Sequence, residues 1–186
     1  MHRQDLLTQL ARFRAHCPDG ASRADQVEEL VRSRPDCFAR TCLPGHLTAS
    51  AWILTPDRER CLLTHHRKIG RWLQLGGHAD GQVLVHEVAL REAREESGLE
   101  HFELVCPQGV LQPLDVDVHW IEAHGAEPGH FHHDIRYLLL ATASTAIRRS
   151  DESDDLRWFP VAELGAITRE ESVLRLARLA ARWDRR

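Results

Sequence analysis

An α+β fold with a mixed sheet is what this sequence predicts, on three observations. Strand-type alternation begins at residue 46 and recurs through residue 161. One strongly helical segment, residues 83–97, interrupts it. The order of the elements lacks the regular βαβ alternation that builds a purely parallel sheet.

The first 40 residues or so read as helix. "QDLLTQLARFRAHC" sets Leu6, Leu10 and Phe13 on one face, and "SRADQVEELVRSRPDC" does the same with Val27, Leu30 and Val31 before Pro35 stops it. The turn-rich "CPDGAS" between them makes a helical hairpin, an N-terminal extension over residues 1–45 that packs on a second region, residues 46–186. From there "HLTASAWILT" and "RCLLTHHR" read as strands around the turn "PDRE", and "RKIGRWLQLGGH" as a glycine-punctuated extended segment. "VLVHEVALREAREES" switches to helical period, with Gly98 placed to cap it. "HFELV", "PLDVDVHWI", "HFHHDIRYLLLATAS" and "LRWFPV" return to strand, and "VAELGAI" and "TREESVLRLARLAARWD" close with helices. In the last of these, Val173, Leu176, Leu179 and Ala180 form a core-facing stripe that also offers a dimer contact.

Composition narrows the function. The chain has 186 residues, 42% hydrophobic and 28% charged, as in an ordinary globular domain with a real core. A net charge of −4 gives no general attraction to a nucleic acid polymer or an anionic membrane, and no apolar run is long enough to span a bilayer. Five cysteines, an odd number without a CxxC pair, together with no signal-peptide pattern in "MHRQDLLTQLARF", point to reduced thiols in the cytoplasm.

The helical segment carries the chemistry. Glu92, Glu95 and Glu96 fall on one side of a helix, while Leu84, Val88 and Ala89 face the sheet. Three like charges so close repel unless a cation sits among them. A divalent ion that prefers oxygen ligands, Mg2+ or Mn2+, suits them, and such ions bridge carboxylates to substrate phosphates. The loop "GGHADG" before the helix lets the backbone approach a ligand closely and offers a bare carbonyl, that of Gly76, to a metal shell.

Glycine loop, helix and carboxylate triplet together resemble the Nudix box. Gly77 starts the pattern, and Arg91, Glu92, Ala93, Glu95, Glu96, Gly98 and Leu99 fall in register. The resemblance covers roughly residues 46–165 and implies a Nudix-type α/β/α sandwich with a mixed sheet. It also implies metal-dependent hydrolysis of a diphosphate in a nucleoside diphosphate derivative or similar small molecule. Carried over, Glu95 and Glu96 are metal ligands beside the Gly76 carbonyl. Glu92 is a further ligand or the base that activates water, and Arg91 orients the cluster. A homodimer is the common family arrangement. One position departs: Val83 stands where the pattern has its first glutamate, which in the family helps orient the arginine. Glu87, four residues before Arg91, is the expected substitute, ahead of Asp80.

Two strands add polar rows. "LDVDVHW" puts Asp115, Asp117 and His119 on one face, and "HFHHDIRY" puts His130, His132, Asp134 and Arg136 on another. With His78 from the glycine loop they are expected to floor a pocket, Arg136 clamping a phosphate and the histidines contacting substrate or, less readily, a second metal. Lys68 and Arg71, just before the loop, complete the expected substrate contacts. Trp72 reads as core before base-stacking platform, and Asp154 and Asp155 as solvated charges before metal ligands. Two other functions stay open. An isomerase resembling isopentenyl diphosphate isomerase would use a cysteine, such as Cys42 or Cys61, with a histidine-rich site. A non-catalytic nucleotide sensor is the other.

Overall fold

The structure, a computed structural model, describes residues 2–67, 70–149 and 153–183. The N-terminal hairpin forms as its periodicity dictates: α1 (His2–His16), a 3-10 turn (Pro18–Gly20) and α2 (Ala21–Ser33). The Phe13 ring closes on Gly20, where a Cβ would lie 2.5 Å from Cζ. α2 ends at Arg34, extended at φ −116°, because the following Pro35 excludes the helical conformation there.

The hairpin has no separate core. Its Leu6, Leu10, Phe13, Val27 and Val31 share one buried cluster with residues of the sheet and of α3 (Val85–Ser97). The Tyr137 hydroxyl donates to Gln9 Oε1 at 2.7 Å across that contact, a buried polar group satisfied between the hairpin and the sheet.

Among the described residues, eight strands make one mixed sheet. Its axis is the pair β1 (Gly45–Leu54) and β7 (His130–Ala141), parallel along the whole length of β1. β2 (Arg60–His66) and β4 (Leu75–His78) run antiparallel to β1. β3 (Arg71–Leu73) and β8 (Ser153–Pro160) flank β2, and β5 (Phe102–Leu104) and β6 (Asp115–Ile121) flank β7. β8 starts earlier than "LRWFPV" suggests, because Asp155 and Ser153 pair with His65 and His66 across a bulge.

Alternation along β1 sorts its neighbours. Leu47, Ala49, Ala51 and Ile53 meet the layer of α1, α2 and α3. Trp52 and Leu54 meet Val173, Leu176, Leu179 and Ala180 of α5 (Glu171–Trp183), which follows the single turn α4 (Leu164–Ile167). The result is an α/β/α sandwich. On the α5 side the apolar packing covers only part of the sheet, and His46, Thr48 and Ser50 are left to a polar floor. No helix among the described residues is long and apolar enough to cross a membrane.

Candidate active site

Strand register builds the floor in ranks. His46 lies opposite His132, which lies opposite His119; Thr48, Asp134 and Asp117 form the next rank, and Ser50, Arg136 and Asp115 the third. β4 extends two of these, with His78 opposite Thr48 and Gly76 opposite Ser50.

The third rank is a locked charge network. Arg136 is 2% exposed, and its guanidinium donates to Asp134 at 2.8 Å and Asp117 at 2.9 Å and reaches Asp115 at 3.4 Å. Arg175 of α5 donates to Asp115 at 2.9 Å and Asp117 at 2.5 Å, and Arg23 of α2 donates to the Val116 carbonyl at 2.6 Å. Burial alone would raise the Asp117 carboxyl; the His119 hydrogen bond and the charges of Arg136 and Arg175 outweigh it and hold the group well below the carboxylate range. Asp134 accepts from Thr48 at 3.1 Å and Ser50 at 2.8 Å besides Arg136. The expected phosphate clamp is therefore corrected: Arg136 is spent on three aspartates beneath the floor, and it does not line the cleft.

Above the floor, α3 supplies a carboxylate wall. Arg91 Nη1 lies 2.8 Å from Glu92 and 3.1 Å from Glu95, and Nη2 donates to the His78 carbonyl at 2.9 Å. One guanidinium thus draws two carboxylates together and fastens the helix to the glycine loop. The loop needs its glycine: a Cβ on Gly77 would sit 2.5 Å from the Glu92 carboxyl carbon. Val83, half-buried, packs on the main core cluster, and Glu87 rests against His86 at 3.5 Å, so Arg91 is held by Glu92, Glu95 and a carbonyl rather than by Glu87.

Wall and floor enclose a cleft of about 950 Å³. Gly76, His78, Arg91, Glu92, Glu95 and Glu96 line it on one side and His119, His132 and Asp134 on the other, all residues expected from the sequence. Arg71 is not brought in; it pairs with Glu170 at 3.0 Å. Lys68 lies outside the described residues. Asp154 is not among the lining residues and pairs with Arg67 at 3.1 Å, and Trp72 packs in the α5 cluster against Phe159. Sequence reasoning missed Arg40, Thr48, Ser50 and Arg67 among the lining residues, and His46 beneath them. The alternation of "HLTAS", polar at every second residue, was the signal for three of these.

The imidazoles are crowded, and burial disfavours the charged form of three of them, His46, His78 and His132. The His46 ring lies within 5.1 Å of the rings of His78, His130 and His132. Burial, reinforced by His78 and His130, pushes His46 down to about 4 against a small opposing pull from the Cys42 backbone. That contact falls outside hydrogen-bonding geometry, so both ring nitrogens lack a partner. Burial also lowers His78, and with the surrounding histidines it lowers His132. No cysteine lines the cleft among the described residues; Cys42 and Cys61 are buried, and burial pushes the Cys61 thiol up to about 12.

A family model described as the NUDIX domain matches residues 44–181. Comparison with curated proteins found no match. Among solved structures, a NUDIX-family hydrolase from Clostridium perfringens is similar at 24% identity, over 72% of this chain and 95% of that one, with a TM-score of 0.58. An Ap4A hydrolase from C. elegans is similar at 17% identity, over 74% and 96% of the two chains, with a TM-score of 0.57. The NUDIX domain of Shewanella oneidensis NrtR, solved with ADP ribose, is similar at 20% identity, over 84% and 97%, with a TM-score of 0.51. At these identities the likeness is one of fold.

Proposed function

Because the chain belongs to the Nudix family of pyrophosphate-cleaving hydrolases, we propose that it hydrolyses a diphosphate linkage in a nucleoside diphosphate derivative or similar small molecule, with Mg2+ or Mn2+ as cofactor. The observation that carries this reading is the joining of Glu92 and Glu95 by Arg91 against a glycine loop, at the wall of a polar cleft.

The donor set fits a hard divalent ion: Glu92, Glu95, Glu96 and the Gly76 carbonyl are all oxygen donors lining one side of the cleft. Such an ion, when bound, neutralises the diphosphate and polarises phosphorus toward water. The chain supplies the rest. Arg91 holds Glu92 and Glu95 in place, so their mutual repulsion is already offset before substrate arrives. Arg40 and Arg67 line the cleft in exposed ion pairs with Glu127 and Asp154, and by exchanging those partners they can meet the phosphate charge that the buried Arg136 cannot reach. His119 and His132 offer hydrogen bonds to phosphate oxygens. Glu92, only 12% exposed at its side chain, is placed either to bind the ion or to take the proton from water. The cleft volume suits a molecule of nucleotide size, and the Ap4A hydrolase and the ADP-ribose-bound domain of the same fold direct the first screen.

Residues 46–186 are the catalytic region in this reading and residues 1–45 an extension packed on it. We place the chain in the cytoplasm on its odd number of cysteines without a CxxC pair.

The test is incubation with Mg2+ or Mn2+ and a panel of diphosphates, following phosphate, pyrophosphate and nucleoside monophosphate. Turnover that falls in Glu95→Gln and Glu96→Gln supports the reading. Substrate binding with no turnover by the native chain would overturn it in favour of a nucleotide sensor.

A further inference from the structure

The carboxylate wall leaves the imidazoles of the floor unexplained. His46 and His130 are 1% and 2% exposed, a depth at which a polar ring normally has its nitrogens satisfied. His46 has neither nitrogen satisfied. Its neighbours are arranged differently. His130 Nδ1 donates to the Pro128 carbonyl at 2.9 Å, which leaves Nε2 as the lone-pair nitrogen, and that atom faces His132 Nε2 at 3.1 Å. A backbone carbonyl that fixes the tautomer of an imidazole is the usual support behind a metal-binding histidine.

We infer that His46, His130 and His132 form a second metal centre, specific for a transition-metal ion such as Zn2+, in the floor of the cleft and separate from the glutamate wall. One nitrogen from each residue lies within 4.8 Å of the others. A tetrahedral shell with metal–nitrogen bonds near 2.0 Å spaces its nitrogens about 3.3 Å apart. The His130–His132 pair is already at that spacing, and side-chain rotation brings in His46. The ion takes the place of the hydrogen between those two nitrogens, which belongs to His132 Nε2 and moves to Nδ1 of the same ring. Three imidazole nitrogens with no carboxylate among them select borderline ions over Mg2+, which keeps to oxygen. The centre stays open on one side. His132 lines the cleft whereas His46 and His130 lie behind it, so the free position faces the substrate space and takes water or a phosphate oxygen. His78 stands next to that position, its ring 5.0 Å from His132, as a fourth ligand or a phosphate contact. Arg40, the cation that opposes an ion here, is itself paired with Glu127 at 3.6 Å.

The two centres differ in donor chemistry, so Co2+ separates them. In a six-coordinate oxygen site it absorbs weakly, and in a four- or five-coordinate nitrogen site strongly. The whole chain, stripped with chelator, is expected to take up one equivalent of Co2+ with strong visible absorption that Zn2+ bleaches. His132→Ala, at a half-buried position, should weaken this binding more than about tenfold, and His46→Asn likewise, whereas Glu95→Gln and Glu96→Gln keep the band. Circular dichroism verifies that each variant is folded. Should a histidine variant unfold, Co2+-shifted imidazole proton resonances in the native chain answer the same question. Absence of the strong band and of shifted imidazole resonances in the native chain overturns the assignment. So does a band that survives in folded His132→Ala or that disappears with the glutamates. Binding is read without turnover, so a failure here leaves the hydrolase reading standing, and the converse holds.

Discussion

The wall and the floor of the cleft solve opposite electrostatic problems. On the wall, three carboxylates crowd one helix face, and Arg91 stands against two of them, Glu92 and Glu95, as a built-in counter-ion. On the floor, imidazoles crowd as closely, but burial removes their charge, as the lowered His46 and His132 show. Solvent access decides between the two. Glu95, 58% exposed at its side chain, is screened by water and paired with an arginine, whereas burial of the enclosed His46 disfavours its charged form. One cleft therefore holds a hard, anionic donor set beside a softer, neutral one.

That contrast can be broken first at the wall. Glu96→Gln removes a ligand charge for the hydrolytic ion and should lower kcat by about a thousandfold, roughly 4 kcal/mol of transition-state stabilisation. Steady-state kinetics with Mg2+ checks it, and near-native turnover would detach the wall from the chemistry. Gly77→Ala comes next. The added methyl displaces the Glu92 carboxylate, and a shift of about 1 Å costs on the order of a hundredfold. Kinetics of that variant beside its Co2+ spectrum would show whether wall and floor fail independently.

A third substitution tests what supports the floor. Arg175→Ala leaves Asp115 and Asp117 short of a partner and should cost about 1–3 kcal/mol in denaturant unfolding at neutral pH. Its pH dependence follows from Asp117, whose folded value lies below its ordinary 3.8. A depressed carboxyl contributes stability above its unfolded pKa and loses it as pH falls further. Native stability should drop below pH 3.8, and the gap to Arg175→Ala should narrow in that window. A gap that widens instead would mean that Arg175 does not act through this carboxylate. The smallest effect is expected of Val83→Glu. Restoring the family's usual glutamate gives Arg91 one more exposed partner, worth no more than about 1 kcal/mol or about fivefold in rate.

The wall was legible because it is local. Glycine loop, helical period and carboxylates lie within one stretch, so spacing alone places Glu92, Glu95 and Glu96 on one face. The floor was legible only in part. Alternation put Asp134 and Arg136 on the correct face of β7, but it carries no depth, and Arg136 proved to be buried among aspartates. His46 escaped because its meaning depends on a parallel register between β1 and β7 that no local pattern encodes. The hairpin was readable as helices, though its shared core with the sheet was not.

The network under the floor also sets an order of assembly. Arg175 follows Asp115 by 60 residues, and every strand of the sheet precedes it in the chain. During synthesis the sheet can be complete while its charged underside still lacks this cation. Among the described residues of the sheet, Arg136 alone faces all three aspartates, and Asp115 and Asp117 gain Arg175 as a further partner only when α5 packs. The integrity of the cleft is then tied to a helix from which no described residue lines it.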